Sequence, residues 1–449
     1  MAVQLVDSPP HWCDCCEVQC CIASLNGEVN GHTSEGLEPG PLSFGSPPRV
    51  KVNVIRPKDV INLKHRGHSN RVMKEENAGT SSSNERILVH CDLDAFFASV
   101  EILHRSLDPE RPLIIGSDPK SGRGRGIVST CNYAARAFGI RSAMPIGEAW
   151  RRCPGAPFGT GHYIHGTRGL YNRASRKVMA MLRPPAEHFE QAGIDEAYLD
   201  ITNEVEGDWD RAYALCRDLQ KSIEAHLGLT ASFGIAPTRI LAKMSSEINK
   251  PNGIFRMLPD ETHEFFVERS LREVPGIGPK RATQLAEWGF NTVDEAYELG
   301  ELALGRIAGE RFATWLVQVV DGDTSSEVSP LRSRKSIGKE NTFSSDEHDN
   351  ERVLERLKTL VETVMAKAKG IGVAGRLCEV KVRYTGFETH THGRSIPVAM
   401  DDVDVFTRLA VRLFALNVDH QRPIRLIGFR LGQLDMPPTR QAKLALEEE

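Results

Sequence analysis

The chain has 449 residues, 40% of them hydrophobic, and a formal net charge of −4. That length predicts two to four domains with real cores, and the near-neutral balance excludes a uniformly polycationic protein. No apolar run is long enough to span a bilayer, and no basic segment followed by an apolar one opens the chain, so the expected location is the cytoplasm.

Residues 1–84 mix Pro, Gly, Ser, Asn and His without periodicity and read as a disordered extension. Five cysteines, Cys13, Cys15, Cys16, Cys20 and Cys21, crowd there beside His11. Thiolates and imidazole bind zinc, but the spacing C-x-C-C-x₃-C-C lacks two separated knuckles and is a weak zinc signal. A translation start at Met73 is the alternative reading of residues 1–72.

The stretch 87–101, ILVHCDLDAFFASVE, organises the rest of the chain. Ile87, Leu88 and Val89 predict a buried strand. It ends in Asp92 and Asp94, which as alternate strand residues can point the same way. Two like charges so placed repel unless a cation sits between them, and hard carboxylate oxygens suit Mg²⁺. From these residues alone, a turn or a helix N-cap is the competing reading. Residues 95–101 predict the start of a helix, in which Phe96 and Phe97 read as core aromatics, one packing inward, and Glu101 as a solvent-facing or supporting group.

Residues 112–116 predict a strand. The glycine-rich SGRGRG at 121–126 is a basic loop, not a dinucleotide-binding turn, because it leads into another strand-like run at 127–130. Tyr133 and Arg136, three apart, share a helix face. Residues 137–183 read as short helices and turns. Between 119 and 183 there are 12 Lys and Arg against one acid, Glu148; such a patch suits a polyanionic partner.

The run GIDEAYLD at 193–200 sets Asp195 and Glu196 beside apolar residues and predicts a β-hairpin lying against the first strand. Carboxylates converging on one sheet edge make a two-metal site for in-line displacement at phosphorus. Helical periodicity spans 210–227, a strand 230–235, and a helix comes after Pro237. Lys250, in NKPNG, reads by itself as a solvated lysine at a helix end. The segment VPGIGPK at 274–280, followed by an apolar-periodic run, predicts a helix-hairpin-helix. Glycines 276 and 278 would let backbone N–H groups approach a DNA phosphate, and GRIAGER at 305–311 reads as a degenerate second copy. After a polar tether at 321–329, the order β-α-β-β-α-β over 336–431 is ferredoxin-like. The tail ends in QAKLAL at 441–446, readable as an exposed helix end.

Six stretches, DLDAFFASVE, STCNYAARAFGI, GIDEAYLD, KPNGI, VPGIGPKRA and RKSIGKENTF, together resemble the Y-family translesion DNA polymerases, most closely the DNA polymerase IV branch. The resemblance implies an α+β multidomain right-hand polymerase. Its parts would be palm (85–118 and 184–258), small fingers (119–183), a helix-hairpin-helix thumb (259–321), linker (322–335), a ferredoxin-like little finger (336–436) and a tail (437–449). It implies template-directed, low-fidelity addition of dNMP to a primer 3′-hydroxyl, with lesion bypass and no proofreading. A catalytically silent DNA-binding palm protein is the alternative, and a nucleotidyl cyclase shares the palm chemistry. By resemblance Asp92, Asp195 and Glu196, with the Leu93 carbonyl, hold two Mg²⁺ ions, and Asp94 stays outside that set. Phe97 is the steric gate against a 2′-hydroxyl, and Thr130, Tyr133, Arg136 and Lys250 grip the triphosphate. Gly276, Gly278 and Lys280 face the duplex, as do Arg332, Arg334 and Lys335. The partners implied are primer–template DNA, dNTPs and, through Gln441 to Leu446, a sliding clamp. A monomer at the nucleoid is expected.

Overall fold

The apolar run that begins at Ile87 is buried on both faces in the computed structural model, which describes residues 86–329 and 333–436. Strand β1 (Leu88–Leu93) turns through Asp94 and Ala95 into α1 (Phe96–Arg105). Next come β2 (Leu113–Gly116), β3 (Val128–Cys131), the short helices α2 (Tyr133–Arg136) and α3 (Ile146–Arg152), β4 (His162–Ile164) and α4 (Arg168–Leu182). The hairpin β5 (His188–Gln191) and β6 (Glu196–Asp200) leads to α5 (Trp209–Leu227), β7 (Ala231–Ala236), α6 (Arg239–Ile248) and β8 (Ile254–Arg256).

The central sheet has five strands in the order β5-β6-β1-β7-β8, antiparallel except for β7 and β8. Strand alternation sends Ile87, Val89, Cys91 and Leu93 to one face, against Val178, Met179 and Leu182 of α4 and Ala212, Cys216 and Ile223 of α5. Leu88 faces the other side, with Leu241, Ala242 and Met244 of α6. Helices on both faces explain why β1 reads as a continuous apolar run. Helix α6 lies almost on the sheet: a Cβ on Gly234 would come within 2.0 Å of the Ala242 carbonyl oxygen. Only glycine allows that approach.

Helix α4 differs from the expected short helices and turns. It runs 15 residues, and its charge-rich sequence hides an apolar stripe that joins the core of the central sheet. The strands before it form a separate three-stranded sheet, β3-β2-β4, over a small core of Ile114, Val128, Ile140, Ile146 and neighbours.

A helical segment comes next: α7 (Thr262–Phe266), α8 (Pro279–Glu287), α9 (Val293–Glu298), α10 (Glu301–Ala308) and α11 (Glu310–Val320). Its apolar residues Phe266, Leu285, Phe290 and Leu316 share a core with α6. Gly309, at φ 92°, separates α10 from α11, so residues 305–311 end one helix and begin the next. Before α8, the helical structure at 271–273 is a single 3₁₀ turn.

The polar tether after α11 is docked at its end. Val328 is buried. Arg86 donates to the Ser326 carbonyl at 3.2 Å and Arg239 to that of Glu327 at 3.0 Å, while Ser329 N–H donates to Glu190 at 3.1 Å. Glu190, on β5, is itself buried and accepts from both terminal guanidinium nitrogens of Arg239, which also lies 4.1 Å over the Tyr198 ring.

The second unit has the expected element order: β9 (Ser336–Glu347), α12 (Asn350–Gly370), β10 (Ala374–Tyr384), β11 (Thr389–Met400), α13 (Val403–Asn417) and β12 (Ile424–Asp435). Its antiparallel sheet runs β11-β10-β12-β9. Val380, Val382, Ile427 and Phe429 face the two helices. On the opposite face Lys381 bridges to Glu340 at 2.7 Å across Gly428, where a side chain would meet Glu340. Among the described residues no helix is long and apolar enough to cross a membrane.

Removing one partner of a buried ion pair strands the other charge. Arg239→Ala therefore lowers unfolding free energy by about 3 kcal/mol in chemical denaturation, well beyond the effect of a surface arginine.

Candidate functional site

The register of the central sheet assembles the site. Asp92 is paired directly with Glu196 across β1 and β6, and with Ser232 across β1 and β7. Leu93 N–H donates to the Asp195 carbonyl at 3.0 Å, which holds the loop before β6 against the end of β1. Asp92, Glu196 and His90 share the face that α6 covers, since they alternate with the residues packed against α4 and α5.

Two lysines from α6 and the loop after it meet these carboxylates. Lys250 donates to Asp92 at 2.7 Å and to Glu247 at 2.6 Å. Lys243 donates to Glu196 at 2.7 Å. Sequence reasoning assigned no role to Lys243, which lies on α6, whereas Lys250 lies in the loop after that helix; no local spacing links the two, and only the packing of α6 on the sheet brings both to the carboxylates. His90, also missed, is fully buried with Nδ1 2.8 Å from Ser246 Oγ and Nε2 3.9 Å from Glu196, too far for a hydrogen bond.

Burial dominates the electrostatics. It pushes Asp92 up to about 7 although Lys250 pulls the other way, and burial with the adjacent Glu196 carboxylate pushes Asp195 up to about 6. Against its own burial, Glu196 is held well below the usual carboxylate range by the groups turned toward it, the His90 ring and the hydrogen-bonded Lys243 ammonium. Burial lowers His90 to about 4, so the ring is neutral at pH 7. Lys250 is raised by the carboxylates it meets, against its own burial.

Among the described residues no three His, Cys, Asp or Glu side chains converge closely enough to hold a cation as they stand; Asp92 and Glu196 each face a lysine. The donor set still fits a hard divalent ion. Three carboxylates share one strand junction, and two of them resist ionising there without more positive charge. Asp94 is spent elsewhere. It is buried, accepts from Ser232 Oγ at 2.8 Å and from Asn252 N–H at 2.8 Å, and so ties the loop carrying Lys250 to β1.

Thr130 lies on β3, and Tyr133 and Arg136 lie on α2. The Arg136 guanidinium sits 4.6 Å over the Tyr133 ring. Tyr133 is raised by partial burial and then by the Asp94 carboxylate, which puts its phenol within the field of the acidic cluster. The buried Asn132, also missed, caps α2 through Ala135 N–H at 3.0 Å. It also accepts from Leu113 N–H at 2.9 Å and donates to the carbonyls of Pro109 and Arg111.

Phe96 is buried, while Phe97 keeps part of its ring exposed and stacks on Tyr171 with centroids 4.2 Å apart. Glu101 does not face solvent. It is fully buried and accepts from Tyr171 Oη at 2.6 Å, Thr167 N–H at 2.7 Å and Arg105 Nε at 2.6 Å.

Gly276, Gly278 and Lys280 are exposed at the start of α8. Gly276 has φ 106° and lies against Trp315, whereas a side chain on Gly278 would meet nothing. Arg334 and Lys335 are exposed just before β9. Arg332, the cysteines of residues 1–84 and the tail from Gln441 to Leu446 lie outside the described residues.

The impB/mucB/samB family model matches residues 91–247, and its C-terminal domain matches 334–446. DNA polymerase IV of Methanoculleus marisnigri is 36% identical over 364 residues, covering 81% of this chain and 98% of that protein. A Y-family DNA polymerase chimera of Dbh and Dpo4 superposes with a TM-score of 0.70 at 29% identity, covering 78% of this chain and 99% of the chimera. An insertion ternary complex of Dbh DNA polymerase gives 0.56 at 28% identity, covering 78% and 100%.

Carboxyls raised by folding stabilise the folded state below their folded pKa and lose that contribution as pH rises through it. The melting temperature of metal-free protein therefore falls between about pH 4 and 7 as Asp92 and Asp195 ionise, and a divalent cation restores more of it at the upper end than at the lower. Differential scanning fluorimetry checks this; Asp92→Asn flattens the pH dependence.

Proposed function

Because the chain belongs to the Y family of DNA polymerases, the impB/mucB/samB family in its DNA polymerase IV branch, we propose that its carboxylate–lysine cluster is the two-metal centre of DNA synthesis. The chain is a DNA-directed DNA polymerase of the translesion class, acting on primer–template DNA and dNTPs with divalent metal. The observation that carries the site assignment is the direct cross-strand pairing of Asp92 with Glu196, with Asp195 beside them.

Asp92, Asp195, Glu196 and the Leu93 carbonyl would hold that metal as two Mg²⁺ ions. When bound, it lowers the pKa of the primer 3′-hydroxyl and neutralises the leaving pyrophosphate. The chain's own residues do the rest. Lys250, freed from Asp92, turns to the triphosphate, where positive charge counts most as the leaving group forms. Asp94 keeps that lysine's loop in place through Asn252. Thr130 and Tyr133 offer hydroxyl donors to the phosphates, and Arg136 offers a planar fork. Phe97 closes the floor under the sugar and leaves no room for a 2′-hydroxyl.

The fingers expected over 119–183 are the small sheet β3-β2-β4 and its core, without α4, which belongs to the core of the central sheet; so small a unit makes a light lid over the nascent pair. Weak geometric checking results, hence tolerance of distorted templates and low fidelity. Backbone N–H groups at Gly276 and Gly278, with Lys280, hold duplex phosphates without reading sequence. Arg332, Arg334 and Lys335 hold the template backbone. The enzyme works as a monomer tethered to a sliding clamp through Gln441 to Leu446, which compensates for weak DNA affinity.

Primer extension on undamaged template tests the centre. Wild type extends in steps that weaken as salt rises, and Glu196→Ala loses at least about 10²–10³ in kcat while still binding the primed template. If wild type and variant both bind and neither extends, the fold is a scaffold and the metal assignment fails. Phe97→Ala raises ribonucleotide insertion relative to deoxyribonucleotide by about 10², read from single-nucleotide incorporation.

A further inference from the structure

We propose that Tyr171 and Glu101 are positioning residues for sugar selection, a buried buttress that sets the height of the Phe97 ring. The proposal rests on the reading of Phe97 as the steric gate. Neither residue touches the nucleotide in that reading; both act through Phe97.

A wall that excludes one oxygen atom must not yield. Displacement of a positioned group by about 1 Å is enough to cost two orders of magnitude in a reaction that depends on it. Phe97 lacks the means to hold itself. Its side chain is apolar and part of it is exposed, so no hydrogen bond fixes the ring. What fixes it is the Tyr171 ring beneath, centroids 4.2 Å apart and planes within 11° of parallel. Phe96 packs beside the pair, its centroid 5.6 Å from Phe97 and 6.4 Å from Tyr171.

Tyr171 in turn is immobilised at its far end. It is buried, its hydroxyl donates to Glu101 Oε1 at 2.6 Å and it accepts from Thr167 N–H at 3.0 Å. Gly166 closes on the phenol: a Cβ there would lie 2.7 Å from Tyr171 Oη. Glu101 is fully buried, with Thr167 N–H on the same oxygen and Arg105 Nε on the other. Against its burial, hydrogen bonds from Tyr171, Arg105 and Thr167 keep this carboxyl below its ordinary range, so it is ionised. A buried carboxylate with three donors is costly to build and poor at moving. Because Glu101 and Phe97 lie four residues apart on α1, the gate and the foot of its buttress belong to one rigid helix, and α4 supplies the ring between them.

The test is sugar selectivity, the ratio of kcat/KM for dCTP over CTP opposite template dG, in the full-length chain. The ratio cancels the fraction of active protein, so a loss of folded enzyme does not move it. Tyr171→Leu lowers the ratio by about tenfold, and Tyr171→Phe and Glu101→Gln lower it by smaller factors in the same direction. In the Phe97→Ala background, Tyr171→Leu changes it no further, because the ring it supports is gone. Tyr171→Phe and Glu101→Gln preserve volume and carry the test if the leucine variant does not fold. An unchanged ratio in these variants, with Phe97→Ala collapsing it, refutes the buttress and leaves the gate standing. An unchanged ratio in Phe97→Ala removes the gate reading itself, and the buttress with it.

Discussion

Mutual repulsion among Asp92, Asp195 and Glu196 is the constraint to which the first unit is built. At an effective dielectric of about 20, two unit charges about 4 Å apart repel by roughly 4 kcal/mol, so three carboxylates left to themselves would turn away from one another. They cannot. The β1–β6 register fixes Asp92 opposite Glu196, and the Leu93-to-Asp195 hydrogen bond fixes the third. The compensating charges come from Lys243 and Lys250, delivered by α6 and the loop after it. That helix reaches the carboxylates because it rests almost directly on β7 at Gly234. Core packing and site electrostatics are thus one arrangement: the glycine that lets α6 approach also sets where the positive charges stand.

Around this centre, Asp94, Asn132 and Glu101 would each be expensive to bury alone; each is hydrogen-bonded, and each fixes a neighbouring element. Asp94 joins β1 to Ser232 and to the Asn252 amide. Asn132 uses its side chain four times to hold α2 at the end of the small sheet. Glu101 holds Tyr171. A half-satisfied network would cost more than an apolar replacement, whereas a complete one gives a single geometry.

Positions assigned to DNA have the opposite character. Gly276, Gly278, Lys280, Arg334 and Lys335 are exposed. A protein that holds duplex by phosphate contacts needs reach and charge rather than a single rigid geometry. The segment after α11 combines both characters. Glu190 and Arg239 clamp residues 326–329 onto the first unit, so the chain departs from a point fixed by a buried ion pair rather than from the end of the helix.

Local pattern by itself determined a good deal of this protein. An apolar run ending in DLD gives a strand and a turn, and DEAYLD after a glycine gives the second strand of a hairpin. Period-2 and period-3.6 alternation give the order of the second unit, though its strands run longer than expected. These features depend on neighbours within a few residues, which is the range over which side-chain direction repeats. The residues that complete the site were not legible that way. Glu101 looks like any exposed helix residue until α4 packs over it, and its partner Tyr171 lies 70 positions away. Lys243 has an ordinary place on an amphipathic helix until the sheet register brings Glu196 beneath it. The tether reads as free polar chain until Glu190, 139 residues earlier, takes its last amide. In each case a charged or polar group found its partner through long-range packing. Sequence records that such a group is present; only the tertiary structure decides which distant atom satisfies it, because hydrogen bonds and ion pairs are fixed by distance in space and not by spacing along the chain.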